Sequence, residues 1–347
     1  MQMNSSDTAS CAASLRGGSR SFHAASRLLP ARVRTASTAL YAFCREADDA
    51  IDFALPGQRD AALAGLHARL DAIYAGTPVP IAADRAFAEV VHAYAIPYAL
   101  PHALLEGFAW DAAARRYSSI ADLEAYAARV AGTVGTMMAI IMGVRSRAAL
   151  ARAAELGLAM QMTNIARDVG EDARAGRLYL PLDWLAEAGV GAADFLRCPS
   201  LTPGVKDVVA RLLHHADSLY RRANSGIAAL PVGCRPAIHA AGLLYEAIGR
   251  EAGLSGFDPV AHRAVVSGRR KALLLARAVG RSARDSVMAA PSLPHSVLPS
   301  VAALVEAAAR RDPVLRVRPP VWRRAEAKAV WVLDLFVALE ARERGRA

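Results

Sequence analysis

From Ser21 to Gly280 the apolar positions follow a helical period, and nowhere do apolar and polar residues alternate for long enough to build a sheet. Short breaks separate the helical stretches. Gly76, Thr77 and Pro78 form one, Gly189 and Gly191 another, and Pro97 with Pro101 and Pro231 with Pro236 bracket two further junctions. The most apolar stretch is VAGTVGTMMAIIMGV, residues 130–144, with arginines on both sides. It is shorter than the ~20 residues that a membrane-spanning helix needs. A buried core helix is expected there, with Gly132, Gly135 and Gly143 allowing a neighbour to approach the backbone closely.

This pattern predicts a single all-α domain over residues 19–288, preceded by a flexible leader at 1–18. The run AAPSLPHSVLPS at 289–300 reads as a Pro/Ser linker, and 301–347 as a C-terminal helical extension. The extension's apolar centre, KAVWVLDLFVALE, lies between basic ends. A helix at roughly 322–343 is expected to pack on the main domain, with an interfacial membrane helix as the alternative.

Composition agrees with a helical chain that buries a large core: 54% of residues are hydrophobic, and alanine, the best helix former, is abundant. The net charge of +10 needs an account. No zinc-finger spacing or aromatic-interleaved basic ribbon accompanies it, so no nucleic-acid partner is expected. Anionic phospholipid or a diphosphate substrate suits the charge as well. Cys11, Cys44, Cys198 and Cys234 show no CxxC spacing, and Asn4, Ser5, Ser6 and Asp7 give a polar start without the apolar core of a signal peptide. A reduced, cytoplasmic chain is expected, peripheral on the inner face of the plasma membrane if the basic extension binds lipid.

Two stretches carry candidate chemistry. In QMTNIARDVGEDARAGRLYLP, residues 161–181, Asn164, Asp168 and Asp172 recur every fourth residue and share one helical face. Like charges at that spacing cost a helix ~0.2–0.5 kcal/mol per pair, and Arg174 and Arg177 follow at once. In YAFCREADDAIDF, residues 41–53, Tyr41, Arg45, Asp48 or Asp49, and Asp52 line a second face among Ala42, Phe43, Ala47, Ala50 and Ile51. Two acidic faces make sense if they oppose each other across a cavity and hold metal. Carboxylates and an amide carbonyl are hard ligands suited to Mg²⁺, which binds through a few carboxylates and takes substrate phosphate oxygens. Arg45, Arg174 and Arg177 would then bind the phosphate oxygens left free.

Both stretches closely resemble the two aspartate-rich signatures of the squalene/phytoene synthase family. SRSFHAASRLLP, residues 19–30, looks like that family's N-terminal signature, and EAYAARVAGTVG, residues 124–135, like its mid-chain tyrosine-and-glycine segment. The resemblance covers residues 15–285 and implies an all-α isoprenoid synthase fold around a central hydrophobic cavity. It also implies magnesium-dependent head-to-head condensation of two prenyl diphosphates, with Mn²⁺ as a substitute metal. By motif position, Asp48, Asp49, Asp52, Asn164, Asp168 and Asp172 would hold metal, with Tyr41, Arg45, Asp48, Asp52, Asp168 and Asp172 counted as catalytic. Ser19, Ser21, Phe22, Tyr41, Arg45, Gln161, Asn164, Arg174, Arg177 and Tyr179 would contact substrate, joined by Tyr245 and Arg269 from a weaker C-terminal match. His23 stands where relatives commonly carry tyrosine.

The implied substrate is geranylgeranyl diphosphate, joined through prephytoene diphosphate to phytoene for carotenoid biosynthesis, with neighbouring carotenoid enzymes as partners. Its cationic intermediates need an apolar wall, for which Val130, Val134, Met137, Met138, Ile140 and Ile141 are the candidates. Two alternatives stand beside this. One is squalene or dehydrosqualene synthesis from farnesyl diphosphate, of which squalene also needs NADPH, and no GxGxxG motif is present. The other is a non-catalytic lipid-binding relative, whose mark would be eroded acid clusters.

Overall fold

The computed structural model describes residues 4–310, apart from 56, 254–257 and 288–295. The chain forms α1 (Ser5–Gly18), α2 (Arg20–Ser26), α3 (Ala31–Asp52), α4 (Arg59–Tyr74), α5 (Ala82–Tyr94), α6 (Ala99–Ala112), α7 (Ile120–Ala127), α8 (Thr133–Ile141) and α9 (Arg147–Arg174). Then come α10 (Leu182–Glu187), α11 (Ala192–Arg197), α12 (Pro203–Asn224), α13 (Arg235–Ala252), α14 (Gly268–Val287) and α15 (Pro299–Ala309). Among the described residues there is no strand, as the hydrophobic period requires.

Helix α9 is the axis of the molecule. Leu150, Ala154, Leu158, Met162, Ile165, Val169 and Ala173 are all buried along it, a stripe at helical spacing that packs against α8, α12, α13 and α15. Small residues let two of these backbones touch. A Cβ on Gly135 would lie 2.2 Å from the Ala153 carbonyl oxygen, and one on Gly157 would lie 2.3 Å from that of Ala131. Gly143 does something else: it takes φ 86° just after α8 and ends the helix, with open space around it. Residues 130–144 are therefore a core segment, entered through a π-helical turn at Ala128–Gly132.

The second pillar is α3, packed against α1, α4, α5 and α6. Phe43 on its inner face stacks on Phe87 of α5 with ring centroids 4.4 Å apart. A buried ion pair ties α4 to α5: Arg69 Nε and Nη2 donate to the two carboxylate oxygens of Asp84 at 2.8 and 2.6 Å.

Two expected boundaries move. The segment expected to be a loose leader contains α1, capped by Asn4 and seated on α3 and α5. Its buried residues are Asp7, Cys11 and Leu15, one per turn, and Asp7 receives a two-pronged hydrogen bond from Arg85 at 2.6 and 2.9 Å. A serine- and glycine-rich composition hid this narrow stripe. At the other end, Pro299 and Ser300, expected in the linker, open α15. Its Val301, Leu304, Val305 and Ala308 are buried against α6, α7, α8 and α9, so the extension begins as part of the main core. The helix expected near 322–343 and most of the linker lie outside the described residues. No described helix is long and apolar enough to cross a membrane.

Asp84 is fully buried, and its partner Arg69 is 17% exposed. Replacing Asp84 with Ala leaves the guanidinium unpaired and should destabilise the protein by about 3–5 kcal/mol in urea unfolding. A loss below about 1 kcal/mol would reduce the pair to the weight of a surface salt bridge.

Candidate active site

The acidic face of α3 meets the second signature directly. Arg177, just beyond α9, places Nη2 3.0 Å from Asp52 Oδ1. Arg45 donates from Nε and Nη2 to Asp49 at 3.0 and 2.7 Å and lies 3.5 Å from Asp48. On α9, Asp168 accepts paired bonds from its neighbour Arg167 at 2.8 and 2.5 Å, and from Arg263 at 2.7 and 3.0 Å. Arg263 comes from the connection before α14, which crosses α9 so closely that a Cβ on Gly170 would lie 2.0 Å from the Val260 carbonyl oxygen.

A third acid stands between the two clusters. Asp111 on α6 accepts hydrogen bonds from Tyr179 at 2.7 Å and Tyr126 at 2.9 Å. Tyr117, Tyr126 and Tyr179 form a ring cluster beneath it, with centroids 5.2 to 6.1 Å apart. Burial raises the Asp111 carboxyl to about 6 despite the two donated bonds. Burial and the neighbouring Asp52 raise Asp48 to about 6, and burial and Asp168 raise Asp172 to about 7. Asp111 adds a smaller repulsion to both Asp48 and Asp172, so carboxylates of α3, α6 and α9 lie near one another.

One turn before Asp48 and Asp168, Cys44 and Asn164 line an apolar cavity, so the acids stand just beyond its lining. Phe22, Tyr41, Gln161, Asn164 and Tyr245 line the end nearest these acids. Phe22 packs against the rings of Tyr41 and Tyr245 at 6.3 and 6.2 Å. Ser19 caps α2 by accepting from the Phe22 amide, and Ser19 and Asn164 lie beside the Tyr245 hydroxyl. Burial raises the hydroxyl pKa of both Tyr41 and Tyr245 above the usual phenol value. Deeper in, Val130, Val134, Met138 and Met142 form the wall. Met137, Ile140 and Ile141, expected on that wall, are buried on the opposite side of the segment and serve as core. A second, roomier cleft of about 940 Å³ lies beside α4 and α5, and none of the candidate site residues lines it.

The donor set fits a divalent cation. Asn164 Oδ1 is buried without a hydrogen-bond partner beside the cavity, and burial and neighbouring carboxylates raise Asp48 and Asp172 further than Arg45 and Arg177 lower them. Among the described residues no three such side chains converge tightly enough to enclose an ion by themselves. That suits a cation completed by substrate phosphate oxygens and water.

Several expected residues stand elsewhere. Arg174 is exposed and donates to the Val260 carbonyl at 2.9 Å, so it holds the crossing segment. Arg269 is exposed at the start of α14, outside the cavity lining. Ser21 and His23 are half-buried on α2 and do not line the cavity. Asp111, Tyr126, Arg167 and Arg263 were not anticipated from sequence. Arg167 sits inside the second signature itself, and the GFAWDAAARRY context of Asp111 offered one acid amid aromatic and basic residues.

Fold and site together define a class: an all-α isoprenoid synthase with clustered carboxylates and arginines beside an apolar cavity. The chain belongs to the squalene/phytoene synthase family, whose model matches residues 15–277. It is 49% identical to the phytoene synthase of Rhodobacter capsulatus across 97% of both chains. It is 46% identical to that of Cereibacter sphaeroides across 98% of this chain and 95% of the relative. Among solved structures it is similar to a dehydrosqualene synthase crystallised with ligand, with TM-score 0.70, 30% identity and coverage of 80% of this chain and 97% of that one.

Replacing Asp111 with Asn should leave the helical circular dichroism unchanged while turnover of prenyl diphosphate falls ~10–100-fold, the usual effect of losing a partner that orders a metal site. Turnover within twofold of the parent would remove Asp111 from the site.

Proposed function

We propose that the chain condenses two molecules of geranylgeranyl diphosphate head to head, through prephytoene diphosphate, to phytoene, as a prenyltransferase of carotenoid biosynthesis. The observation that supports this is the group of carboxylates from α3, α6 and α9 that stands just beyond Cys44 and Asn164, which line an apolar cavity. The choice of the twenty-carbon substrate is supported by the named phytoene synthases that the chain matches over nearly its whole length.

The residues divide the work. Divalent cations, Mg²⁺ in this reading, supply the Lewis acid that draws charge from the departing diphosphate. Asp48, Asp52, Asn164, Asp168 and Asp172 would hold them, with Asp49 paired to Arg45 beside them. Arg45, Arg177 and Arg263 lie within reach of the same group and would take diphosphate oxygens as these carboxylates turn to metal. Loss of diphosphate from the first substrate leaves an allylic cation, which the double bond of the second attacks. Proton loss then closes the cyclopropane of prephytoene diphosphate. Ionisation of that intermediate, rearrangement to the 1–1′ bond and a second proton loss give phytoene. Val130, Val134, Met138 and Phe22 exclude water from these cations. Tyr41 and Tyr245, whose raised pKa values keep them neutral, orient the reacting ends.

Phytoene is too apolar to leave through water, so peripheral contact with a membrane or a neighbouring carotenoid enzyme is part of the proposal. The net charge of +10 supports an anionic lipid surface.

Purified protein with Mg²⁺ and geranylgeranyl diphosphate should give a forty-carbon hydrocarbon without NADPH, lose that activity in EDTA, and recover it on adding Mg²⁺. Turnover in chelator would contradict the metal assignment. A product only from farnesyl diphosphate would move the function to the thirty-carbon branch.

A further inference from the structure

A charged residue lies deep in the cavity. Arg152 is 2% exposed, yet it lines the apolar chamber together with Met142, Ala149, Gly226 and Ile227. It lies twelve residues before Asn164 on α9, which puts it ~18 Å along the helix from the acidic mouth. That depth is comparable to an extended prenyl chain of four isoprene units.

The side chain is locked at its tip and at its stem. Nη2 donates to Glu155 Oε1 at 2.7 Å and to the Ser296 carbonyl at 2.5 Å. Arg222 from α12 joins the same two acceptors at 2.8 and 3.2 Å, and Glu155 is fully buried. At the other end, a Cβ on Gly226 would lie 2.4 Å from Arg152 Cβ, so the turn after α12 presses on the stem. Arg152 Nε, Arg222 Nε and Glu155 Oε2 remain buried without partners. An apolar plug would seal the chamber without that desolvation cost. A leucine or methionine, however, could turn aside for a longer chain, whereas a side chain pinned at both ends cannot.

We propose that Arg152, anchored by Glu155 and the Ser296 carbonyl, is the rigid floor of the cavity and sets the longest prenyl chain the protein accepts. This rests on the reaction proposed above. Farnesyl, geranylgeranyl and geranylfarnesyl diphosphates would be compared by kcat/KM, with each hydrocarbon identified by mass spectrometry. Arg152→Ala deepens the chamber while Arg222 still neutralises Glu155. It should raise the ratio of the twenty-five- to the twenty-carbon substrate by about tenfold or more. Arg152→Met keeps the bulk but removes the pinning, so it should raise the same ratio, though less than Arg152→Ala. If Arg152→Ala fails to fold, the Arg152→Met result decides alone. Unchanged ratios in active variants overturn the floor. A parent protein inactive on all three substrates would overturn the proposed reaction, and the floor with it.

Discussion

Carboxylates held partly buried beside one another set a demand that the surrounding elements meet. Asp48, Asp52, Asp111, Asp168 and Asp172 come from three helices and feel one another's charge at the edge of an apolar chamber. Such a rim holds only if cations face it. Guanidinium groups do so here, and they come from widely separated parts of the chain: Arg45 from α3, Arg167 from α9, Arg177 just after it, and Arg263 from the connection to α14. The same demand explains why that connection lies against α9 at Gly170, where no side chain would fit.

The chamber behind the rim has the opposite character until its far end. Its walls are mostly apolar and come from α2, α3, α9, α13 and the segment that threads between α6 and α9, whose glycines bring backbones together and whose remaining faces alternate between cavity and core. Charge returns at the floor, where Arg152, Glu155 and Arg222 form a buried group tied to the segment leading into α15. A polar mouth, a dry body and a pinned floor suit a substrate with an anionic head and a long hydrocarbon tail. Each region is built on α9, so the helix that carries the second acidic face also measures the depth of the cavity.

Much of this was legible in the residues. Spacing by four placed Asp168 and Asp172 on one face, and the α3 signature placed Asp48 and Asp52 on another, because helix geometry is local. What joins them was not legible. Asp111 has no acidic partner at helical spacing, and its place between the clusters follows from how α6 packs. Arg263 reaches Asp168 across ninety-five residues of sequence. Arg174, which looked equivalent to Arg177, turned outward because the helix period carries it to the opposite side. Likewise, Asp7, Cys11 and Leu15 make a stripe too narrow to stand out among serine and alanine, and only contact with α3 and α5 gives it meaning.

The account stands on the two acidic faces acting together on one cation–diphosphate unit. The most direct measurement is Mn²⁺ binding followed by electron paramagnetic resonance, with and without inorganic diphosphate, in the parent protein and in Asp52→Asn and Asp172→Asn. Diphosphate should tighten Mn²⁺ binding in the parent, and either substitution, on opposite helices, should abolish that gain. If each variant keeps the diphosphate-dependent gain of the parent, the two faces do not share a site.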